Sequence, residues 1–396
     1  MQAEQWKGTK CPARRYHDGT QLRRTPGFAS GYRCSMTLMT AILTGLSAIC
    51  LAASLVPLLP VAHGLVRSFD FARLQVIAIA VLILAAAAVS PLSHIEMAII
   101  AVMTLTALAI QLVQVVPFTP LWFTQTARYK GDPAQAETIS FLVSNVKQGN
   151  RNYQRLTDLI AERPPDIAIF METDQAWFEA LRPSLADFHQ TVACPQSNSY
   201  GMILASRFPL RTHDVRFLLN KEVPSISCVV TLPDGHDVRL LAIHPEPPLP
   251  TRDTFGRDAE ILLVGKMARE ESLPTIVTGD LNDVAWSRTT RRFLRLSRLL
   301  DPRLGRGFFN SFDARRWYLR WPLDHIFHSR RFELIDMERL PFVGSDHFPM
   351  FYRFALTGAD NNRPPPCETR ADIEEAEEVV AAERQRDRPP AGTDWE

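Results

Sequence analysis

The chain is short of cysteine pairs, of net charge and, over one long stretch, of charge of either sign. Its 6 cysteines form no Cys-x-x-Cys pair, which leaves a zinc site unsupported. Cys194 and Cys228 alone fall inside the later globular part, and a disulfide between them or two buried thiols are both open. The formal net charge of +1, from 44 Lys and Arg against 43 Asp and Glu, conceals a strong segregation of sequence types. Between residues 36 and 118 charge is nearly missing. Three apolar stretches lie there, Met36 to Leu59, Leu74 to Leu92 and Met97 to Val116, each close to the roughly 20 residues that cross a bilayer core of about 30 Å. Without a polar face they do not suit a soluble bundle. A signal peptide followed by core helices fits these lengths less well, so the region reads as three transmembrane helices.

What surrounds the apolar region is different in kind. Residues 1–35 form a basic tail, with Lys7, Lys10, Arg14, Arg15, Arg23, Arg24 and Arg33 against Glu4 and Asp18. An excess of Lys and Arg before the first span favours a cytoplasmic N-terminus. Three crossings of an inner or plasma membrane then put the following domain outside the cytoplasm. A start at Met36 or Met39 would remove that tail, and the same rule would favour the opposite orientation. Residues 119–136, with Gly131, Asp132 and Pro133, read as a linker into a domain over 137–356. Beyond it, Pro364-Pro365-Pro366 and a Glu-rich stretch through Glu378 read as a disordered acidic tail over 357–396.

Inside 137–356, helical spacing appears over Tyr153 to Glu162 with Asn152 as a cap, over Arg257 to Glu271 and over Ser287 to Leu300. Strands can be drawn over Met202 to Ala205, Ser227 to Leu232 and Val238 to Ile243, the last two as a hairpin about Pro233-Asp234-Gly235. This alternation favours an α/β sandwich, two mixed sheets face to face with helices outside.

Polar residues sit just past the ends of the apolar runs. They are Asn145 after Phe141-Leu142-Val143-Ser144, Glu172 after Ile169-Phe170-Met171, and His244 after Leu241-Ala242-Ile243. Asp280 and Asn282 follow in Gly279-Asp280-Leu281-Asn282, Asp324 in Leu323-Asp324-His325, and last comes Ser345-Asp346-His347. Strand ends hold side chains around one point. Carboxylates, amides and histidines gathered this way are the ingredients of a divalent-metal phosphoester hydrolase, and hard oxygen ligands select Mg²⁺ or Mn²⁺.

That order of motifs over about residues 137 to 356 resembles the endonuclease/exonuclease/phosphatase superfamily, the deoxyribonuclease I-like fold. The resemblance implies a four-layer α/β sandwich of two mixed β-sheets flanked by helices. It implies Glu172 as the main metal ligand, Asn145 on metal or phosphate, and Asp346 reaching the metal directly or through water. Asp280 would orient and deprotonate the attacking water, with Asn282 and His244 on the phosphate. His347 would contact the phosphate or transfer a proton, with Asp324 fixing its tautomer. Asp283 and His325 should face away, and Tyr200 is a loose match to a phosphate-binding position.

Arg291, Arg292, Arg295 and Arg298 recur at helical spacing and suit an anionic partner, or simply form a solvated face. The expected function is therefore a membrane-anchored metal-dependent phosphodiesterase, acting first of all on nucleic acid. A phospholipid or lipid-headgroup phosphodiesterase is the alternative, and a noncatalytic receptor for an anionic ligand the reading from another class. No protein partner is legible.

Overall fold

A computed structural model of the chain describes residues 26–358 and 360–393, and most of the expected basic tail over 1–35 lies outside them. Four helices come first: α1 (Pro26–Leu55), α2 (Gly64–Phe71), α3 (Arg73–Val89) and α4 (His94–Val115). Met36–Leu58 and His94–Phe118 are each long and apolar enough to cross a membrane. The third expected span qualifies only as the pair α2 and α3, bent by 61°. Ala53, Ala87 and Ala107 lie among the buried contacts, where small side chains let helices approach closely. Leu82, Val102 and Val113 point outward. Charge occurs at the bend, where Arg73 binds Asp70 at 2.5 Å and Gln111 at 2.8 Å, so neither charge is buried alone.

The second part runs through β1 (Thr138–Asn145), α5 (Tyr153–Glu162), β2 (Ile167–Met171), α6 (Gln175–Leu181), β3 (Gln190–Cys194) and β4 (Met202–Ser206). It continues with β5 (Leu210–Arg216), β6 (Ser225–Thr231), β7 (Asp237–Ala242), α7 (Phe255–Glu270), β8 (Thr275–Asp280) and α8 (Arg288–Ser297). Strands β9 (Asp324–His328), β10 (Phe332–Arg339) and β11 (Met350–Leu356) follow, then α9 (Arg370–Arg384). One sheet has the order β10-β11-β1-β2-β4-β3 and the other β5-β6-β7-β8-β9. Both are mixed, since β1 pairs with β2 and β7 with β8 in parallel while the other neighbours are antiparallel.

The inner faces of both sheets share one core that includes Phe141, Ile169, Leu204, Leu240, Ile276 and Phe354. On the outer faces, α5 and α6 cover the first sheet through Leu156, Trp177 and Leu181, and α7 and α8 cover the second through Ile261 and Phe293. Strands β1, β2 and β8 are thus buried on both sides, which is why they read as continuous apolar runs. Each large apolar side chain so buried contributes roughly 1.5–3 kcal/mol. The four layers are those expected.

Several local expectations change. Asn152 makes no capping bond; Asn150 Oδ1 accepts from the Asn152 N–H at 3.1 Å instead. The expected linker is docked, with Tyr129 N–H donating to Leu334 O and Leu334 N–H to Ala127 O, both at 2.9 Å. Cys194 and Cys228 are free thiols. Where a disordered acidic tail was expected, α9 packs on α7 and α8 through Leu262, Leu296 and Ala376.

Candidate active site

The parallel and antiparallel registers carry the polar residues to one end of both sheets. Asn145 ends β1 beside Met171 of β2, so Glu172 follows directly next to it. Asp280 and Asp324 face each other across the β8–β9 ladder. His347 precedes β11, which runs antiparallel to β1 and so delivers it to the same end. Gly279 has φ 143°, and a Cβ there would lie 1.9 Å from Ile243 O. The glycine before Asp280 therefore lets β8 close against the strand that delivers His244. Lys147, Glu172 and Asn282 all have positive φ, at 57°, 59° and 51°, a conformation rare for side-chain-bearing residues and concentrated at functional sites.

These groups form one connected network. Asn145 Nδ2 donates to Glu172 Oε1 at 2.7 Å and to Asp280 Oδ2 at 3.0 Å. Its Oδ1 is taken by the Lys147 N–H at 3.0 Å. In this arrangement Asn145 holds two carboxylates in place, and its Oδ1 keeps a second lone pair beside the hydrogen bond from Lys147. His347 Nδ1 lies 2.8 Å from Asp324 Oδ2, and its Nε2 lies 3.4 Å from Asp280 Oδ2. Burial alone would lower the His347 pKa, but Asp324 and Asp280 outweigh it and hold it up to about 10, a doubly protonated ring at neutral pH. Ser345 Oγ supports the loop, donating to Asn145 O at 2.8 Å and accepting from His347 N–H at 3.0 Å.

The remaining residues line the same cavity. Glu172, Asn282, Asp346, His347 and His244 bound it together with Lys147 and Tyr200. Burial pushes Glu172 up to about 7, against its hydrogen bond from Asn145. Burial likewise lowers His244 to about 4, so this ring is neutral, and its Nδ1 has no hydrogen-bond partner. Asn282 donates from Nδ2 to Pro245 O at 3.0 Å and is braced by Arg257 on its carbonyl at 3.1 Å. Tyr200 is buried at the cavity wall, and its hydroxyl donates to Ala391 O.

Asp283 and His325 do face away. Asp283 accepts from Ser287 and Thr290, and His325 lies between Arg303 and the Asp283 carbonyl. Lys147 was missed by the sequence reading. Its ammonium binds Asp346 at 2.5 Å, and the signal was one lysine two residues past a strand end.

The cavity is short of positive charge. Glu172, Asp280, Asp324 and Asp346 converge there with His347 and Lys147, and both cations are already engaged by Asp280, Asp324 and Asp346. Glu172 has no ion pair among the described residues; it accepts only from Asn145 and, at 3.3 Å, from the Gln148 N–H. A half-buried carboxylate with amide donors alone, facing the cavity, fits a bound divalent cation, with oxygen donors of the hard type Mg²⁺ prefers. Donor atoms of Asp280, Asp324 and His347 also lie within 4.8 Å of one another, but they already bond each other, an arrangement suited to holding a proton.

A sequence profile of the Endonuclease/Exonuclease/phosphatase family matches residues 142–347. Among solved structures the chain is similar to an endonuclease/exonuclease/phosphatase family protein from Bacteroides thetaiotaomicron. The identity is 18%, over 57% of this chain and 100% of that one, with a TM-score of 0.45. It is also similar to TDP2 of D. rerio complexed with single strand DNA product, at 15% identity over 55% of this chain and 98% of that one, TM-score 0.46. An endonuclease/exonuclease/phosphatase from Beutenbergia cavernae has 15% identity over 56% of this chain and 72% of that one, TM-score 0.43. None of the curated proteins matches the chain.

Proposed function

The chain belongs to the endonuclease/exonuclease/phosphatase family and is a phosphoester hydrolase, and from that premise we propose a membrane-anchored phosphodiesterase that depends on Mg²⁺ or Mn²⁺. The observation that carries this reading is Glu172, a half-buried carboxylate that opens onto the cavity without a cationic partner, among three further carboxylates at the ends of two sheets. Glu172 would hold the metal, with Asp346 reaching it directly or through water. Bound there, the cation would withdraw charge from the nonbridging phosphate oxygens.

The protein's own groups do the rest. Asp280, kept more basic than an ordinary carboxylate by burial, orients the water and takes its proton as the oxygen adds to phosphorus. The P–O bond to the departing alcohol breaks in line, and that oxygen takes a proton from the His347 imidazolium. His347 then recovers a proton from Asp280, 3.4 Å away. Asp324 holds the ring through Nδ1, so that Nε2 faces the reaction. Asn282 and the neutral His244 donate to phosphate oxygens. Anchoring rests on α1, α3 and α4 as three crossings, with α2 bent away at the membrane surface and the catalytic part on the extracytoplasmic side.

A nucleic-acid substrate, the first expectation, drew on the arginines of α8. In the fold Arg292 and Arg295 bind Asp372, and Arg288 and Arg292 bind Glu375, so this face does not offer a free grip for a polyanion. The test of the reading is hydrolysis of bis-p-nitrophenyl phosphate by the full chain, with Mg²⁺, Mn²⁺ or EDTA. Metal-dependent turnover that disappears in Asp280→Ala and His347→Ala is the expected result. A folded wild-type protein that turns over nothing with either metal would overturn it.

A further inference from the structure

The wall of the active-site cavity is not built by the catalytic part alone. Phe71, the last residue of α2, lines the cavity together with Glu172 and His347. It sits at the bend where α2 gives way to α3, beside the bundle's buried Asp70–Arg73 pair. From there a row of rings leads to the reacting groups. Phe71 and Trp321 are 5.6 Å apart, Trp321 and Phe312 6.1 Å, and Phe312 and His347 4.9 Å. The Trp321 indole N–H donates to the Phe71 carbonyl, and Trp286 donates to the Asp70 carbonyl at 2.8 Å, which fixes the bend against the catalytic part. Pro247, Pro248 and Leu323 extend the apolar wall. The cavity is therefore amphipathic, with charged groups at one end and rings at the other.

The surroundings of that apolar end match a membrane–water boundary. Gln75, in the first turn of α3, donates to the Tyr318 carbonyl at 3.1 Å, so the loop over 315–321 lies where α3 would enter the bilayer. That loop reads Arg315-Arg316-Trp317-Tyr318, with Trp317 80% exposed and Tyr318 59% exposed. Just past α4, Leu121 is 87% exposed, with Trp122 and Phe123 beside it. Exposed Trp and Tyr with adjacent arginine are what the interfacial zone favours, because ring and guanidinium can each meet the layer that suits them. No such gain comes from leaving them in water.

From this arrangement we infer the substrate class of the proposed phosphodiesterase: a bilayer lipid phosphodiester. Its headgroup phosphate reaches Asp280 and His347, while its apolar portion stays at the wall of Phe71 and Phe312, two rings that Trp321 joins, next to the helices. The inference rests on the phosphodiesterase reading and on the helices crossing a membrane. The chemistry is hydrolysis as above: water adds to phosphorus, one P–O bond breaks, and the products are a phosphate monoester and an alcohol. One of the two stays in the bilayer.

The experiment uses the full chain with Mg²⁺ and three substrates. These are phosphatidylglycerol in mixed vesicles with phosphatidylethanolamine, a single-stranded DNA oligonucleotide, and bis-p-nitrophenyl phosphate. The expected kcat/KM for the lipid exceeds that for DNA by at least about tenfold. At constant bulk lipid, the lipid rate should fall in proportion as detergent dilutes the lipid in mixed micelles, a test that needs no variant. Phe71→Ser and Phe312→Ser should each lower lipid turnover several-fold more than turnover of the soluble diester. DNA cleaved as well as or better than lipid overturns the inference, as does a lipid rate indifferent to surface dilution. Turnover of the soluble diester without lipid turnover sinks the lipid inference alone, whereas no turnover of any substrate sinks the phosphodiesterase reading beneath it.

Discussion

Two places in this molecule crowd charged side chains, and they treat charge in opposite ways. In the seam between α8 and α9 every one of these carboxylates has an arginine: Asp372 accepts from Arg292 and Arg295, Glu375 from Arg288 and Arg292, and Glu368 from Arg298 at 3.5 Å. In the cavity four carboxylates share two cations, and Glu172 is left with amide donors alone. The seam leaves none of these carboxylates without a cation and holds a helix in place. The cavity is imbalanced, and an imbalance kept under burial costs stability that only a ligand or a reaction can use. Substitutions in the two places should therefore differ in kind, with large catalytic effects in the cavity and local structural ones in the seam.

The largest effect should come from Asp280→Asn. The amide keeps the shape and the contact with Asn145 but cannot accept a proton, so kcat should fall by about 10²–10⁴-fold. Circular dichroism should be unchanged. A loss of less than fivefold would mean that another group takes the proton of the water. Next in size is Asn145→Ala, which leaves Glu172 and Asp280 without their shared donor. Support of this kind at metal sites is worth about 10–100-fold in metal affinity, measurable by titration calorimetry with Mn²⁺. Unchanged affinity would place the metal away from Glu172.

The pH dependence sharpens the comparison further. Burial pushes Glu172 up to about 7, so below that pH a proton competes with the metal for the same carboxylate. Mn²⁺ affinity should weaken by up to about tenfold per pH unit as pH falls from 7 to 5, and level off above 8. The seam should not follow. Hydrogen bonds from Arg295 foremost hold the Asp372 carboxyl well below the usual range. A depressed carboxylate contributes its stability above the unfolded pKa of about 3.9 and loses it only as pH falls through the lower folded value. Between pH 5 and 8 the docking of α9 should stay constant while metal affinity changes.

The layered fold and most of the cavity were legible because the strands that carry them are short apolar runs with a polar residue at the end. Asn145, Glu172, Asp280 and His347 each stand at such a place, and α5 spans the residues its spacing indicated. Strand β5 was missed because most of its residues are exposed, so it shows no apolar run at all. Lys147 was missed because its place depends on a positive φ just past β1, which no spacing announces. The α9 helix was misread for a different reason. Locally it is acidic and poor in apolar residues, and its partners lie on α7 and α8, 87 positions away in the chain for Arg288 and Glu375 and 111 for Lys266 and Glu377. Composition reports what a segment can bury by itself; it cannot report a complementary charge supplied from elsewhere. The same blindness made the α8 arginines look free.

Asp372→Ala tests that account with the smallest expected change in catalysis. Asp372 closes the capping box of α9 with Thr369 and binds Arg292 and Arg295, and its side chain and that of Arg292 are only 5% and 7% exposed. Arg292 keeps Glu375, so the cost is below the roughly 3–5 kcal/mol of a buried charge left wholly unpaired, and it falls on α9, which loses its cap and two of its arginine contacts. A 15-residue helix without its tertiary contacts is marginal in water, so α9 should open while the sheets stay closed. Hydrogen exchange should show the amides of 370–384 losing protection and those of β1 and β2 keeping it. Turnover of bis-p-nitrophenyl phosphate should change by less than about threefold. The segment after α9 does reach the cavity wall, through the Tyr200–Ala391 hydrogen bond, but it carries none of the groups that move protons. A hundredfold loss of turnover in this variant would mean that the seam and the cavity are one functional unit, and the contrast between paired and imbalanced charge would fail.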